Sequence, residues 1–149
     1  MLFLIFKIDD EKYAIPAKQV AEIIDLVKFT KIPQSPDFVS GLMNYRGNVL
    51  PVIDLPNLFL KRVFKPMLST RIVLMNFIIK KHTFVLGIIV ENLTETIMFE
   101  KKDIKKSGLN FDFIPYLGKV ISNNGEIIHL LEIEKVLPEE LKASLFKLK

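Results

Sequence analysis

Side chains able to move protons, attack carbonyls or hold metals are few and scattered. His82 and His129 are the only two histidines, and they stand far apart in the chain. There is no cysteine, so a disulfide, a thiol nucleophile and a thiolate metal site are all excluded. His82 is expected at a hairpin tip and His129 in an apolar strand, where each reads as structural rather than as a general base. No G-x-S-x-G elbow, phosphate-binding loop or metal-spaced His/Asp/Glu cluster occurs. Asp9-Asp10-Glu11 lacks the spacing of a calcium loop and reads as a turn whose carboxylates cap backbone N–H groups. Asp54 follows a strand, and capping a short helix explains it with the fewest assumptions. The expectation is a protein that is not an enzyme, with no cofactor and no metal.

The chemistry that remains is recognition. Residues 41–54 read GLMNYRGNVLPVID, an apolar run with Arg46 near its middle, beside Gly47. Gly47-Asn48 suits a type II′ two-residue turn, which would put Arg46 at a strand end with Gly47 and Asn48 as the structural turn. The arginine stem could then lie along the hairpin while its planar fork reaches outward. A fork held this way forms directional bonds and loses little entropy on binding. Taken alone, the fork could as well cover the hairpin end or pair with a nearby carboxylate, as most surface arginines do.

The elements that must position this residue are mostly strands. Half of the 149 residues are hydrophobic, 12 of them phenylalanine, so the chain can bury a sizeable core. Short runs rich in Ile, Val, Phe and Leu, separated by turn residues, predict strands at 2–8, 12–15, 22–29, 42–45 and 49–54. A second set is predicted at 71–79, 83–90, 94–98, 120–122 and 126–131. Lys80-Lys81 and Asn123-Asn124-Gly125 read as hairpin tips. Short helical turns are expected at 16–21 and 54–60, and a tail helix at about 138–148. The tail has Glu139 and Glu140 at its positive end, with Leu141, Leu145 and Leu148 on one face.

The cluster Lys61, Arg62 and Lys65 with Pro66 marks a seam in the middle of the chain. It divides the strands into a first lobe at about 12–65 and a second at about 66–137. The strand at 2–8 could join either. The expected fold class is therefore all-β, as two packed small β-barrels with a C-terminal helix. The longest early apolar run, residues 2–6, is stopped by Lys7, far short of the roughly 20 residues of a spanning helix. No basic residue precedes it and no small-residue cleavage site follows, so it does not read as a signal peptide. A soluble, cytoplasmic protein without direct membrane insertion is expected.

In this order along the chain, FKIDDEKYAIP, VAEIIDL, IPQSPDFVSGLMNYRGNVLPVIDL, FVLGIIVENLTET and LGKVISNNGEIIHLLEIEKVL resemble the CheW-like domain family of bacterial chemotaxis signalling. The segment with G-x-x-N-x-R-G and a strand ending P-V-I-D-L is the most specific part, and the resemblance covers nearly the whole chain. It implies two five-stranded, SH3-like barrels. It also implies a non-catalytic adaptor between the cytoplasmic hairpin tip of methyl-accepting chemoreceptors and the regulatory domain of a CheA-type histidine kinase, peripheral to membrane-bound receptor arrays. The family's receptor-linked arginine falls on Arg46, flanked by Asn44 and Tyr45. An apolar groove between the lobes would draw on Val20, Ile23 and Ile24 from the first and on Ile88 and Val90 from the second. Glu22 matches a commonly acidic position and could steer docking of kinase or receptor; other kinase contacts are not assigned. Tyr45 departs from the family's usual Leu, Pro56 from a frequent basic residue, and the +4 net charge from an acidic balance.

The competing class is a small β-barrel that binds nucleic acid. Lysine pairs at 80–81, 101–102 and 105–106 would supply charge, and Phe77, Phe84, Phe99 and Phe111 would supply stacking rings. Phe77 and Phe84 fall within apolar strands, so core packing explains them better, and no nucleic acid partner is expected.

Overall fold

The computed structural model describes residues 1–108 and 118–147, and the side chains through residue 144. Phe111, Leu148 and the Leu145 side chain, all singled out above, lie outside the described residues. The described strands, in chain order, are β1 (Leu2–Ile8), β2 (Glu11–Pro16), β3 (Val20–Asp25), β4 (Val39–Tyr45) and β5 (Asn48–Asp54). After them come β6 (Arg71–Ile79), β7 (His82–Val90), β8 (Leu93–Met98), β9 (Ile104–Lys106), β10 (Lys119–Asn123) and β11 (Glu126–Leu130). Helix α1 (Leu55–Leu60) follows β5, and α2 (Ile133–Val136) and α3 (Glu139–Lys147) close the chain. The mainly-β class is as the sequence predicts.

Two sheets carry the fold. One runs β8-β1-β2-β11-β10-β9 and the other β3-β6-β7-β5-β4. Neighbouring strands pair antiparallel except β2 with β11 and β5 with β7. These parallel pairings are long-range, and they correct the expected lobes. β1 and β2 belong with the late strands, while β6 and β7 belong with β3, β4 and β5. The seam at 61–70 is thus a connection inside the second sheet, from β5 through α1 to β6, rather than a border between lobes. The reason is physical: hairpins are set by local turns, but the partner across a parallel ladder is set by which faces can be buried together.

The near-continuous apolar runs arise because the strands are covered on both faces. Leu4, Phe6 and Ile8 of β1 meet Val73, Met75 and Phe77 of β6 and Leu86, Ile88 and Val90 of β7 in a core between the sheets. The alternate residues Phe3 and Ile5 pack behind the first sheet with Phe99, Ile121 and Ile128. Ile72, Leu74 and Ile89 pack behind the second with Met43, Leu50 and Val52. Period-two alternation still holds, but both halves of it are apolar. Gly87 sits where a Cβ would come within 3.1 Å of the Ile72 side chain and 3.3 Å of that of Val52, so an added methyl would press both neighbours back by a few tenths of an ångström.

Local signals place the connections. Lys80 and Lys81 both take positive φ between Ile79 and His82, and Asn124-Gly125 does the same between Asn123 and Glu126. The Asp54 carboxylate caps α1 by accepting from the Asn57 N–H at 3.0 Å, and Lys61 in the left-handed region ends the helix. The helix expected at 16–21 is one 3₁₀ turn over Ala17–Gln19. β3 stops at Asp25, short of the predicted 29, after which a bridge between Thr30 and Leu42 carries the chain to β4. Leu141 of α3 packs against the core between the sheets.

Candidate functional site

β4 and β5 pair with Tyr45 facing Asn48, so the turn consists of Arg46 and Gly47. Their φ values are 51° and 82°, the left-handed pair of a type I′ turn. This corrects the expected Gly47-Asn48 turn: Asn48 is the first residue of β5, and Arg46 occupies the turn itself. The register is decided by which residues of β4 and β5 must face each other in the buried ladder, and that overrides the preference of a lone glycine for the first turn position. Asn44 braces the turn, its Oδ1 accepting from the Gly47 N–H at 3.2 Å. An arginine in the left-handed region is strained by about 1–2 kcal/mol relative to its favoured regions.

The Arg46 side chain is 74 % exposed yet held from two directions. Its guanidinium carbon lies 5.0 Å from the centroid of the Tyr45 ring, within cation–π range. Its Nη2 is 3.5 Å from Oε1 of Glu22 on β3. The Tyr45 hydroxyl donates to the other oxygen of the same carboxylate. Glu22 therefore ties the β4–β5 tip to the opposite edge strand of its sheet. The triad could not be read from spacing, because β3 and the tip are brought together only by the sheet.

Beside this triad opens a cleft of about 640 Å³ lined by Ala21, Glu22, Tyr45, Arg46, Asn48, Val49, Leu50, Pro51, Leu74, Thr83, Phe84 and Val85. All of these lie on strands of the second sheet or, for Arg46, in its β4–β5 turn, whereas the expectation placed the groove between two lobes. Ile88 and Val90, assigned to that groove, have no exposed surface and lie in the core between the sheets, so neither can line an open site. They sit on β7, the middle strand, with packing on both faces. Val20 is half-buried against the same core, and Ile24 is half-buried behind the second sheet. Ile23 is 40 % exposed and faces outward.

A second polar constellation was missed by spacing altogether. Arg62 donates from Nη1 to Oε2 of Glu91 at 2.9 Å and from Nη2 to Oε1 at 2.8 Å, a bidentate pair. Nη2 also reaches Oδ1 of Asp9 at 2.9 Å, in the β1–β2 turn. Asp9 was expected to cap backbone locally; it instead links the first sheet to the loop after α1. The Glu91 side chain is 3 % exposed. Burial alone would push its carboxyl up, but the Arg62 hydrogen bonds, the Lys65 N–H and the two cationic charges hold it below its ordinary value. Neighbouring Asp54 is pushed up by burial, only partly offset by the N–H groups of Phe64 and Asn57. The only sequence sign of this cluster was a basic loop without nearby acids.

Among the described residues, no three His, Asp or Glu side chains are grouped to hold a metal ion. No helix among them is long and apolar enough to cross a membrane. His129 packs on Tyr13 and lies 3.5 Å from Glu11.

The CheW-like domain model matches residues 2–141. Among curated relatives, the chemotaxis protein CheW of Helicobacter pylori is 30 % identical over 142 residues, covering 93 % of this chain and 82 % of that protein. The CheW of Klebsiella aerogenes is 30 % identical over 144 residues with the same coverages, 93 % and 82 %. Protein FrzA of Myxococcus xanthus is 29 % identical, covering 91 % and 84 %. The fold is similar to that of the scaffolding protein TtCheW from Thermoanaerobacter tengcongensis, with a TM-score of 0.77, 23 % identity, and coverage of 92 % and 87 % of the two chains. With a family model spanning nearly its full length and two relatives at 30 % identity, this chain belongs to the CheW-like domain family.

Proposed function

We propose that the protein is a non-catalytic adaptor that couples the cytoplasmic hairpin tip of a chemoreceptor to the regulatory domain of a CheA-type histidine kinase. Family membership supports an adaptor of chemotaxis-type signalling. The observation that carries the receptor half is Arg46: exposed, set on a two-residue turn, and aimed by Tyr45 and Glu22 at the rim of an open cleft. A directed guanidinium beside apolar surface suits a helical hairpin that offers carboxylates and aliphatic side chains. Asn44 holds the turn, Tyr45 supplies a ring face and hydroxyl, and Ile23 adds exposed apolar surface, with Val20 and Ile24 on the same strand. Because both oxygens of Glu22 are engaged with the tip, its role is assigned to the receptor site and not to kinase contact. The protein works on the cytoplasmic side of the membrane, where such hairpin tips lie.

Among the described residues, the rings on which the nucleic-acid alternative would stack bases, Phe77, Phe84 and Phe99, are buried in cores, which weighs against it. The test is to add the receptor's cytoplasmic fragment, and separately the kinase regulatory domain, to isotope-labelled protein and follow the backbone amides. Receptor fragment should shift residues 20–24 and 44–50, and kinase domain should shift a different set. Absence of shifts from both at micromolar concentrations, or tight salt-sensitive binding of a single-stranded oligonucleotide, would overturn the proposal.

A further inference from the structure

The loop between α1 and β6 combines rigidity with an exposed apolar surface, and the receptor site does not involve it. Arg62 and Phe64 turn inward, which throws Lys61, Val63 and Lys65 outward. Val63 is 69 % exposed, Met67 46 % and Leu68 98 %, and Leu60 at the end of α1 is 44 % exposed. Four aliphatic side chains therefore meet solvent within nine residues.

This loop is not held loosely. The Phe64 N–H donates to Asp54 at 2.9 Å and the Lys65 N–H to Glu91 at 2.6 Å. The Thr70 hydroxyl, inside a buried residue, donates to the Lys65 carbonyl and accepts from the Met67 N–H, each at 3.0 Å. A segment with its backbone fixed from within presents its side chains already ordered, which lowers the entropy lost on binding.

Charge selects the partner. Residues 60–70 contain no carboxylate. The Arg62 charge is met by Asp9 and Glu91, while the ammonium groups of Lys61 and Lys65 form no salt bridge among the described residues. The outward charge of the loop is therefore positive, set between aliphatic side chains. We propose that this loop is a docking surface for a short acidic amphipathic segment of a partner protein, with aliphatic side chains on Val63, Met67 and Leu68 and carboxylates on Lys61 and Lys65. This surface is separate from the Arg46 cleft, and its occupant need not be receptor or kinase.

The test uses the full chain and a synthetic peptide of alternating Glu and Leu pairs, about three helical turns long. The expected result is amide shifts confined to residues 60–70 and binding that weakens as salt rises. Met67→Ser with Leu68→Ser should weaken binding by about tenfold or more, and Lys61→Glu should weaken the Glu–Leu peptide and favour a Lys–Leu peptide, with Lys65 kept because its charge helps hold Glu91 ionised. These are surface changes, and an unchanged melting curve confirms that the variants fold. Shifts mapping elsewhere, or equal affinity of the wild-type chain for the Lys–Leu peptide, would overturn the proposal. So would co-sedimentation with anionic phospholipid vesicles in place of peptide binding, or self-association that the double-serine variant abolishes.

Discussion

Replacing Arg46 by glycine separates recognition from folding more cleanly than replacing it by alanine. Alanine keeps the left-handed strain at this turn position, whereas glycine relieves it. The relief is about 1–2 kcal/mol, and the greater freedom of glycine in the unfolded chain takes back about 0.5–1 kcal/mol. The lost contact with Glu22 is long, at 3.5 Å, and belongs to a side chain 74 % exposed, so solvent screening leaves it only a few tenths of a kcal/mol. The stacking on Tyr45 adds about 0.5 kcal/mol at such an exposed site. These terms nearly cancel, and Arg46→Gly should stay within about 1 kcal/mol of wild type, a melting shift of no more than about 4 °C. An interface arginine of the proposed kind contributes about 2 kcal/mol or more, roughly thirtyfold in Kd. The assay pairs denaturant unfolding with calorimetric titration of the receptor's cytoplasmic fragment, and Arg46→Lys serves as the variant that keeps charge but loses the fork. A stability loss above about 2 kcal/mol, comparable to a core truncation, would show that the arginine is architectural. Unchanged receptor affinity would refute the recognition argument outright.

Arg62→Met should be the opposite case, costing about 2–3 kcal/mol in denaturant unfolding. It strips a buried Glu91 of its bidentate partner, and the penalty is reduced because Arg62 itself is about one-quarter exposed. That deficit should depend on pH. In the wild type, the Glu91 carboxyl lies below its ordinary 4.5, so its stabilisation is complete above that value and lost as pH falls through the lower folded value. Without Arg62, burial makes the ionised form unfavourable, and the gap between variant and wild type should be widest at neutral pH and narrow in acid. Asp54 acts with the other sign: its pKa is raised above 3.8, so the fold gains as pH falls through that raised value, and Asp54→Asn should abolish the gain. Gly41→Ala should cost about 3 kcal/mol or more, read by thermal melting. Gly41 has a φ of +147°, and a Cβ there would stand 2.4 Å from the Thr30 carbonyl oxygen, which accepts from Leu42 at 2.8 Å.

Much of the local structure was legible in the residues. Short β-branched and aromatic runs marked the strands of β6 and β7, Lys80-Lys81 marked the hairpin tip between them, and Asn123-Asn124-Gly125 marked the one between β10 and β11. Asp54 marked the start of α1, because a carboxylate before a helix satisfies an N–H that the helix cannot. The motif around Arg46 carried the family. All of these depend on neighbours within a few residues, and such interactions are written directly in the order of the chain.

Tertiary structure decided the rest. Ile88 and Val90 looked as available for a groove as Ile23, since a strand buried on both faces shows no polar alternation to say which side is wet. Only the placement of β7 between β6 and β5 made them core. Whether the tip was Arg46-Gly47 or Gly47-Asn48 depended on the cross-strand register, which a one-residue slip would have inverted. The parallel pairings of β2 with β11 and β5 with β7 join segments far apart in the chain, and the Glu22 contact and the Arg62–Glu91 pair both rest on the second, which sets the β4–β5 hairpin and the segment after it beside β7. Composition and turn chemistry determine where the chain bends and what it hides; which distant carboxylate meets which guanidinium is determined by burial, which acts on the whole molecule at once.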